Sequence, residues 1–160
     1  MGTTREFTLA VRSMLRLYRW RRIEPVPWAA PQRPLAAARI GLVSSAGLVL
    51  PGQPPFDASL RTGDPSFRVI PSDTDPQQLV ETHRSESFDR SGLTIDRNLV
   101  LPLDRLREMV RDGAVGALAP HALSFMGSIT DPGPLVRDTA PRAAQIFVRD
   151  EVDVALLVPV

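Results

Sequence analysis

Ala38-Arg39-Ile40-Gly41-Leu42-Val43-Ser44-Ser45 is a short apolar run that stops at a Ser-Ala-Gly turn, and residues 152–160 (VDVALLVPV) form a second run of the same character. Both are apolar on successive positions instead of alternate ones. Strands of that kind are buried on both faces, as in parallel sheets covered by helices on each side. The segments between them supply the helices. Leu103, Leu106 and Val110 fall on one face of a helix over residues 102–112, with Pro102 suited to its first turn and Gly113 to its C-terminal cap. Asp131-Pro132 opens a second helix carrying Leu135, Val136, Ala140, Ala143, Ala144 and Phe147, and Pro141 within it is expected to kink or interrupt it. Residues 67–70 and 115–118 read as two further short strands. Strands alternating with helices predict an α/β domain with a mostly parallel sheet flanked by helices.

The rest of the chain is less regular. Residues 51–66 are turn-rich, with Pro51-Gly52, Pro54-Pro55 and Gly63-Asp64-Pro65. Residues 71–98 are polar and irregular, with a helical turn or two expected after Pro76. Residues 24–36 hold Pro25, Pro27, Pro31 and Pro34, the spacing of an extended polyproline-like connector. Before it, Thr3 and Glu6 have capping-box spacing, and Phe7, Val11, Met14 and Tyr18 recur at helical spacing with Arg12, Arg16 and Arg19 on another face. The expected organisation is therefore a basic amphipathic helix over 1–23, a Pro-rich connector over 24–36 and an α/β domain over 37–160. The helix can dock its apolar stripe on the domain, or it can meet a membrane surface or a partner.

Composition narrows the function classes. The chain has 160 residues, 19 arginines, no lysine and no cysteine, with a formal net charge of +1. The first 22 residues hold six arginines against one glutamate, and the remainder holds 13 arginines against 17 acids. A near-neutral total argues against a protein whose whole surface grips nucleic acid. Within these residues the lack of cysteine excludes a disulfide framework, a thiolate zinc site and a thiol nucleophile. No run of about 18 apolar residues is present to span a membrane, and no signal-peptide pattern opens the chain, so the expected compartment is the cytoplasm.

Candidate chemistry concentrates in residues 83–98 (HRSESFDRSGLTIDRN), where His83, Arg84, Glu86, Asp89, Arg90, Asp96, Arg97 and Asn98 crowd together. Such mixed acids and bases can bind a small polar substrate or tune a pKa; they can equally form a solvated, salt-bridged loop. Asp64 and Arg68 are further candidates to face a site, although their segment reads first as a tight turn. His83 and His121 are the two histidines, and their spacing gives no metal-ligand motif, so no metal is expected. Ser124, in Ser124-Phe125-Met126-Gly127-Ser128, is not in a GxSxG elbow, and no GxGxxG or Walker loop is present.

Several segments, in order, resemble one family. Residues 38–47 (ARIGLVSSAG) resemble the first strand of the selenoprotein B family of glycine, sarcosine, betaine and D-proline reductases. Gln53-Pro54-Pro55-Phe56-Asp57 and residues 63–71 (GDPSFRVIP) are similar to its next two motifs. His83, Asp89, Asp96, Asn98 and residues 102–108 (PLDRLRE) resemble its central signature, continued by Gly113-Ala114-Val115-Gly116 and Ser124-Phe125-Met126-Gly127. Residues 152–159 (VDVALLVP) resemble the strand that leads to the family's redox residue.

The resemblance implies an oxidoreductase subunit that cleaves a C–N bond reductively while a dithiol becomes a disulfide. The attacking group in the family is a selenol, or a thiol in Cys-containing relatives. That residue is expected after Val160, so selenocysteine is expected in a longer product and the 160 residues read as the portion upstream of it, with a last strand lacking its following helix. Implied partners are a small amine or amino-acid derivative, pyruvoyl-type or acetyl-transfer subunits, and a thioredoxin-like electron donor. His83, Asp89, Asp96, Arg97 and Asn98 are expected near the substrate, with Arg97 or Arg84 meeting a carboxylate. The alternative is a non-catalytic small-molecule-binding or complex-assembly protein of the same fold.

Overall fold

A computed structural model describes residues 8–17, 22–85 and 88–160, without the side chains of residues 14 and 15. The Thr3–Glu6 capping pair, Phe7, Tyr18, Arg19 and Glu86, and the side chain of Met14, lie outside the described residues. The chain forms two compact units, Met1–Ala30 and Pro31–Val160. In the first, helix α1 spans Leu9–Leu17. Thr8 stands at its N-cap, with its hydroxyl 3.5 Å from the N–H of Val11.

The second unit is an α/β domain built on a mixed, mostly parallel sheet. Its axis is β1, Arg39–Ser44. Along one side, β7 (Val154–Val158) pairs with β1 in parallel, from Ile40 opposite Val154 to Ser44 opposite Val158. On the other side lie β5 (Ala117–Leu118), parallel to the start of β1, and β6 (His121–Phe125), parallel to its end. β3 (Phe67–Pro71) closes that side, antiparallel to β6.

β5 and β6 correct the expectation of one strand over residues 115–118. The strand begins at Ala117, breaks at Pro120, which has no N–H for a ladder, and resumes at His121. The carbonyl of Pro120 instead accepts the N–H of Ser72 at 2.8 Å. β7 also departs from expectation. Its composition suits the middle of a sheet, yet among the described residues it pairs with β1 alone, and Leu157 is 66% exposed.

Helices cover the two faces. α2 (Leu103–Arg111) buries Leu103 and Leu106 against a core that includes Ile40, Leu42, Ile70 and Ala122. Each such leucine contributes about 1.5–3 kcal/mol. The left-handed Gly113 follows directly on the last turn, with φ +75°. On the opposite face α3 (Ala140–Arg149) lies so close to β1 that a Cβ at Gly41 would sit 2.9 Å from the ring of Phe147.

The kink expected at Pro141 takes a specific form. Residues Leu135–Thr139 wind as a π turn, in which the N–H of Ala140 reaches back to the carbonyl of Leu135. The widened turn places Pro141 in the first turn of α3, where a missing N–H breaks no helical bond.

A small antiparallel pair, β2 (Leu48–Val49) with β4 (Val80–Glu81), crosses a region that reads as irregular in sequence. It carries the chain from β4 straight to His83.

Candidate functional site

The carboxyl ends of β1 and β7 meet beside this small sheet. The hydroxyl of Ser45, just past β1, accepts the N–H of Val160 at 2.9 Å. Two residues on, Gly47 turns the chain at φ +67°. Its carbonyl accepts both the N–H and the hydroxyl of Thr82, at 2.9 and 2.8 Å. The backbone of His83 packs so tightly here that a Cβ at Gly47 would lie 3.0 Å from the His83 nitrogen.

His83 is 7% exposed. Its ring stacks obliquely on Phe88 with centroids 4.7 Å apart, and its Nδ1 accepts the N–H of Ser85 at 3.1 Å. Burial lowers its pKa; Glu81 pulls the other way, and Arg90 and Arg84 add to the lowering. Arg90 holds the surrounding loop from within. It pairs with Glu81 at 2.6 Å and donates to the carbonyl of His83 at 2.6 Å and to those of Ser85 and Phe88 at 3.2 Å.

A cavity of about 420 Å³ opens here, bounded by His83, Ser85, Phe88, Asp89, Ser128 and Val160. Asp89 is exposed. The N–H and hydroxyl of Ser91 hold its carboxyl below the usual carboxylate range, so it is ionised at neutral pH. The cavity thus combines an imidazole, a carboxylate, hydroxyls and an aromatic wall, enough to orient a small polar molecule.

The other expected site residues lie elsewhere. Asp96, Arg97 and Asn98 do not border this cavity. Asp96 caps the short 3-10 turn Arg97–Leu99 by accepting the N–H of Asn98, and it also accepts the side chains of Asn98 and Gln77, each at 2.9 Å. Those bonds, the Asn98 N–H first, lower its pKa. Asn98 is 8% exposed and bridges to the start of α2, donating to the Asp104 carboxylate at 2.8 Å and accepting the Asp104 N–H at 3.0 Å. The Arg97 guanidinium donates to the carbonyl of Gln77 at 2.9 Å. Arg84 donates to the carbonyl of Leu60.

Asp64 and Arg68 also have internal partners. Asp64 accepts the N–H groups of Asp57 and Ser66, at 2.9 and 2.8 Å. Arg68 lies 4.2 Å over the ring of Phe56 and donates to the carbonyls of Pro54 and Pro55 at 2.9 Å. Reading along the chain does not single out Phe88 or Ser128 as site residues. The one local signal for Ser128 is Gly127 before it, which marks a sharp turn after β6.

The fold is that of an open α/β sheet, and the carboxyl edge of such sheets is where ligand crevices form. The comparisons with known proteins sharpen this. The chain belongs to the glycine/sarcosine/betaine reductase selenoprotein B family, whose model matches residues 12–159. It is 31% identical over 136 residues to the D-proline reductase subunit gamma of Acetoanaerobium sticklandii, an alignment covering 84% of this chain and 54% of that subunit. It is 30% identical over 134 residues to the glycine reductase complex component B subunit gamma of Symbiobacterium thermophilum, covering 82% of this chain and 30% of that one. A sarcosine reductase complex component B subunit beta of Peptoclostridium acidaminophilum is 27% identical over 110 residues, covering 68% of this chain and 25% of that one. The chain therefore spans about half the length of the first of these relatives and less of the others. No solved structure matches it. Among the described residues no helix is long and apolar enough to cross a membrane.

Proposed function

We propose that this chain forms the substrate-binding part of an enzyme that cleaves a C–N bond reductively, with a dithiol as reductant. The observation that carries the reading is the cavity of His83 and Asp89 at the carboxyl ends of β1 and β7. Open parallel sheets hold their reactive groups at that edge. In the net reaction the C–N bond breaks, carbon and nitrogen each gain a hydrogen, and two thiols become a disulfide. Residues 1–160 contain no cysteine, so the selenol or thiol is contributed from outside them, as selenocysteine or cysteine just beyond Val160. Such a group supplies the nucleophile that attacks the carbon bearing nitrogen.

The residues present fit that neighbour. The cavity reaches Val160, the ionised Asp89 suits a cationic amine, and Phe88 offers an apolar wall. Pyruvoyl-type or acetyl-transfer subunits and a thioredoxin-like donor would complete the assembly in the cytoplasm.

The test is intact mass and selenium content of the product as its own cells make it, followed by assay of that product with a dithiol and D-proline, sarcosine, glycine or betaine. The expected result is a species heavier than 17.6 kDa that carries selenium or a redox cysteine and cleaves the C–N bond, releasing ammonia or an amine from glycine, sarcosine or betaine and opening the ring of D-proline with its nitrogen retained. A native product of 17.6 kDa that binds these compounds without turnover sinks the catalytic reading and leaves a small-molecule-binding or assembly protein of the same fold.

A further inference from the structure

The cavity beside His83 has one charged side chain in its wall, and that charge is negative. Among the described residues that line it, Asp89 carries the one side chain that is ionised at neutral pH. Burial holds His83 below its ordinary pKa, so its ring adds no positive charge at pH 7. Asp89 also has an oxygen to spare. Its Oδ1 accepts the N–H and the hydroxyl of Ser91, at 2.9 and 2.7 Å. Oδ2 takes no hydrogen bond among the described residues, and the residue is exposed. The bonds to Oδ1 fix the carboxylate without neutralising it.

Among the described residues no arginine is placed to receive a carboxylate in this cavity. Arg90 has five N–H donors and spends all of them. Its Nε donates to Glu81 Oε2 at 2.6 Å, and its Nη2 to Glu81 Oε1 at 3.4 Å and to the His83 carbonyl at 2.6 Å. Its Nη1 donates to the carbonyls of Ser85 and Phe88, each at 3.2 Å. A guanidinium filled in this way has no fork left for the carboxylate of a ligand. Arg84 donates to the carbonyl of Leu60, and Arg97 to that of Gln77. Neither of them borders the cavity.

We propose that the part of the pocket built by this chain selects a cation without a carboxylate: an amine, or an amino-acid derivative whose carboxyl is masked as an amide or ester, with its ammonium on Asp89 Oδ2. This rests on the reading of the cavity as a substrate pocket and names the charge type of the molecule that it takes. A free amino acid brings its anion close behind its ammonium, toward a wall that holds one anion and no cation. The like charges repel, and the repulsion offsets what the ammonium gains. Masking the carboxyl removes that repulsion. It also keeps a carbonyl beside the carbon bearing nitrogen, which leaves that carbon open to the nucleophile. Phe88 and Val160 favour the masked form too, because an anion set against apolar side chains loses water that they cannot replace. Free amino acids enter the same cavity, more weakly.

The experiment uses the full chain labelled with nitrogen-15 and follows the backbone N–H signals of Ser85, Asp89 and Ser91 at pH 7, below the α-amino pKa of about 7.7–8.0. The probes are D-prolinamide and sarcosine amide, against D-proline and sarcosine. Each amide should bind roughly fivefold more tightly than its free acid, the scale of one exposed ion pair. Raising the salt to about 0.5 M should narrow that ratio. Asp89→Asn keeps an acceptor oxygen for Ser91, and it should bring the ratio close to one by weakening the amides and sparing the acids. Equal or tighter binding of the free acids overturns the proposal. So does a preference that high salt leaves unchanged or that survives Asp89→Asn; in all these cases the cavity reading stands. If none of the four probes moves the signals, the cavity reading fails and this proposal fails with it. The ratio and its salt dependence are read on the unsubstituted chain, so a variant that does not fold leaves the test intact.

Discussion

Residues 83–90 and residues 96–98 are both rich in charged and polar side chains, and the fold puts them to different uses. Around Asn98 the hydrogen bonds close on themselves. Asp96, Asn98, Gln77 and Asp104 satisfy one another and join the 3-10 turns Pro76–Gln78 and Arg97–Leu99 to the start of α2. Around His83 the loop is held just as firmly, by Arg90, and a cavity lies beside it. Charge and polarity do not tell the two stretches apart, and neither does an unpaired buried group, since among the described residues both His83 Nε2 and Arg97 Nε lack a partner. What differs is the cavity.

That contrast can be tested at four points. The largest expected effect is at Asn98. Asn98→Ala removes a buried side chain and strands the Asp104 N–H and a carboxylate oxygen, so it should cost about 3 kcal/mol. Urea unfolding would measure this, and a loss below about 1 kcal/mol would mean that water replaces the network at no penalty. Next comes Gly127→Ala. The left-handed backbone disfavours alanine by about 1–2 kcal/mol, and its Cβ would crowd Nε2 and the Ser45 carbonyl, at 3.1 and 2.8 Å. Urea unfolding should read this loss, and an unchanged midpoint would mean that the turn after β6 shifts at no cost.

His83→Phe should behave in the opposite way to Asn98→Ala. A phenyl ring keeps the stacking on Phe88 and removes a ring nitrogen that has no partner among the described residues, while the Ser85 N–H loses its acceptor. Stability should therefore change by less than about 1 kcal/mol, while binding measured by calorimetry drops. A large destabilisation would make His83 structural, like Asn98.

The smallest effect is on pH dependence. The folded-state pKa of His83 lies below its ordinary value, so below pH of about 6.5 the unfolded chain binds more protons than the folded one. The His83 contribution is complete above that value and is lost as pH falls through the folded pKa. His83→Phe should flatten this part of the stability profile. An unchanged slope would mean that the ring is already solvated.

The same distinction explains what sequence reading reached. β1 and α2 are legible because their signals are local: successive apolar residues for a two-sided strand, and Leu103, Leu106 and Gly113 at helical intervals. β2 and β4 are two residues each, too short to show any period, and their pairing is set by contacts some thirty residues apart. β6 lies beyond Pro120, which reads as an end to the strand but acts as a break within a longer edge along β1. In the site, His83 and Asp89 stand out by residue type. Ser128 reaches the same cavity only through the turn after β6, and Asp96 and Asn98 find their partners in Gln77 and Asp104, outside the segment that drew attention to them.

The π turn before α3 holds one residue more than a regular helical turn needs, and Pro141 depends on that surplus. A deletion of one residue within 135–139 would return the turn to α geometry, yet it would also move Pro141 deeper into a continuous helix, where its ring meets the carbonyl four residues back. The two features are therefore linked in any drift of the sequence. The surplus residue can be lost only once position 141 has stopped being proline, whereas proline can be lost at any time.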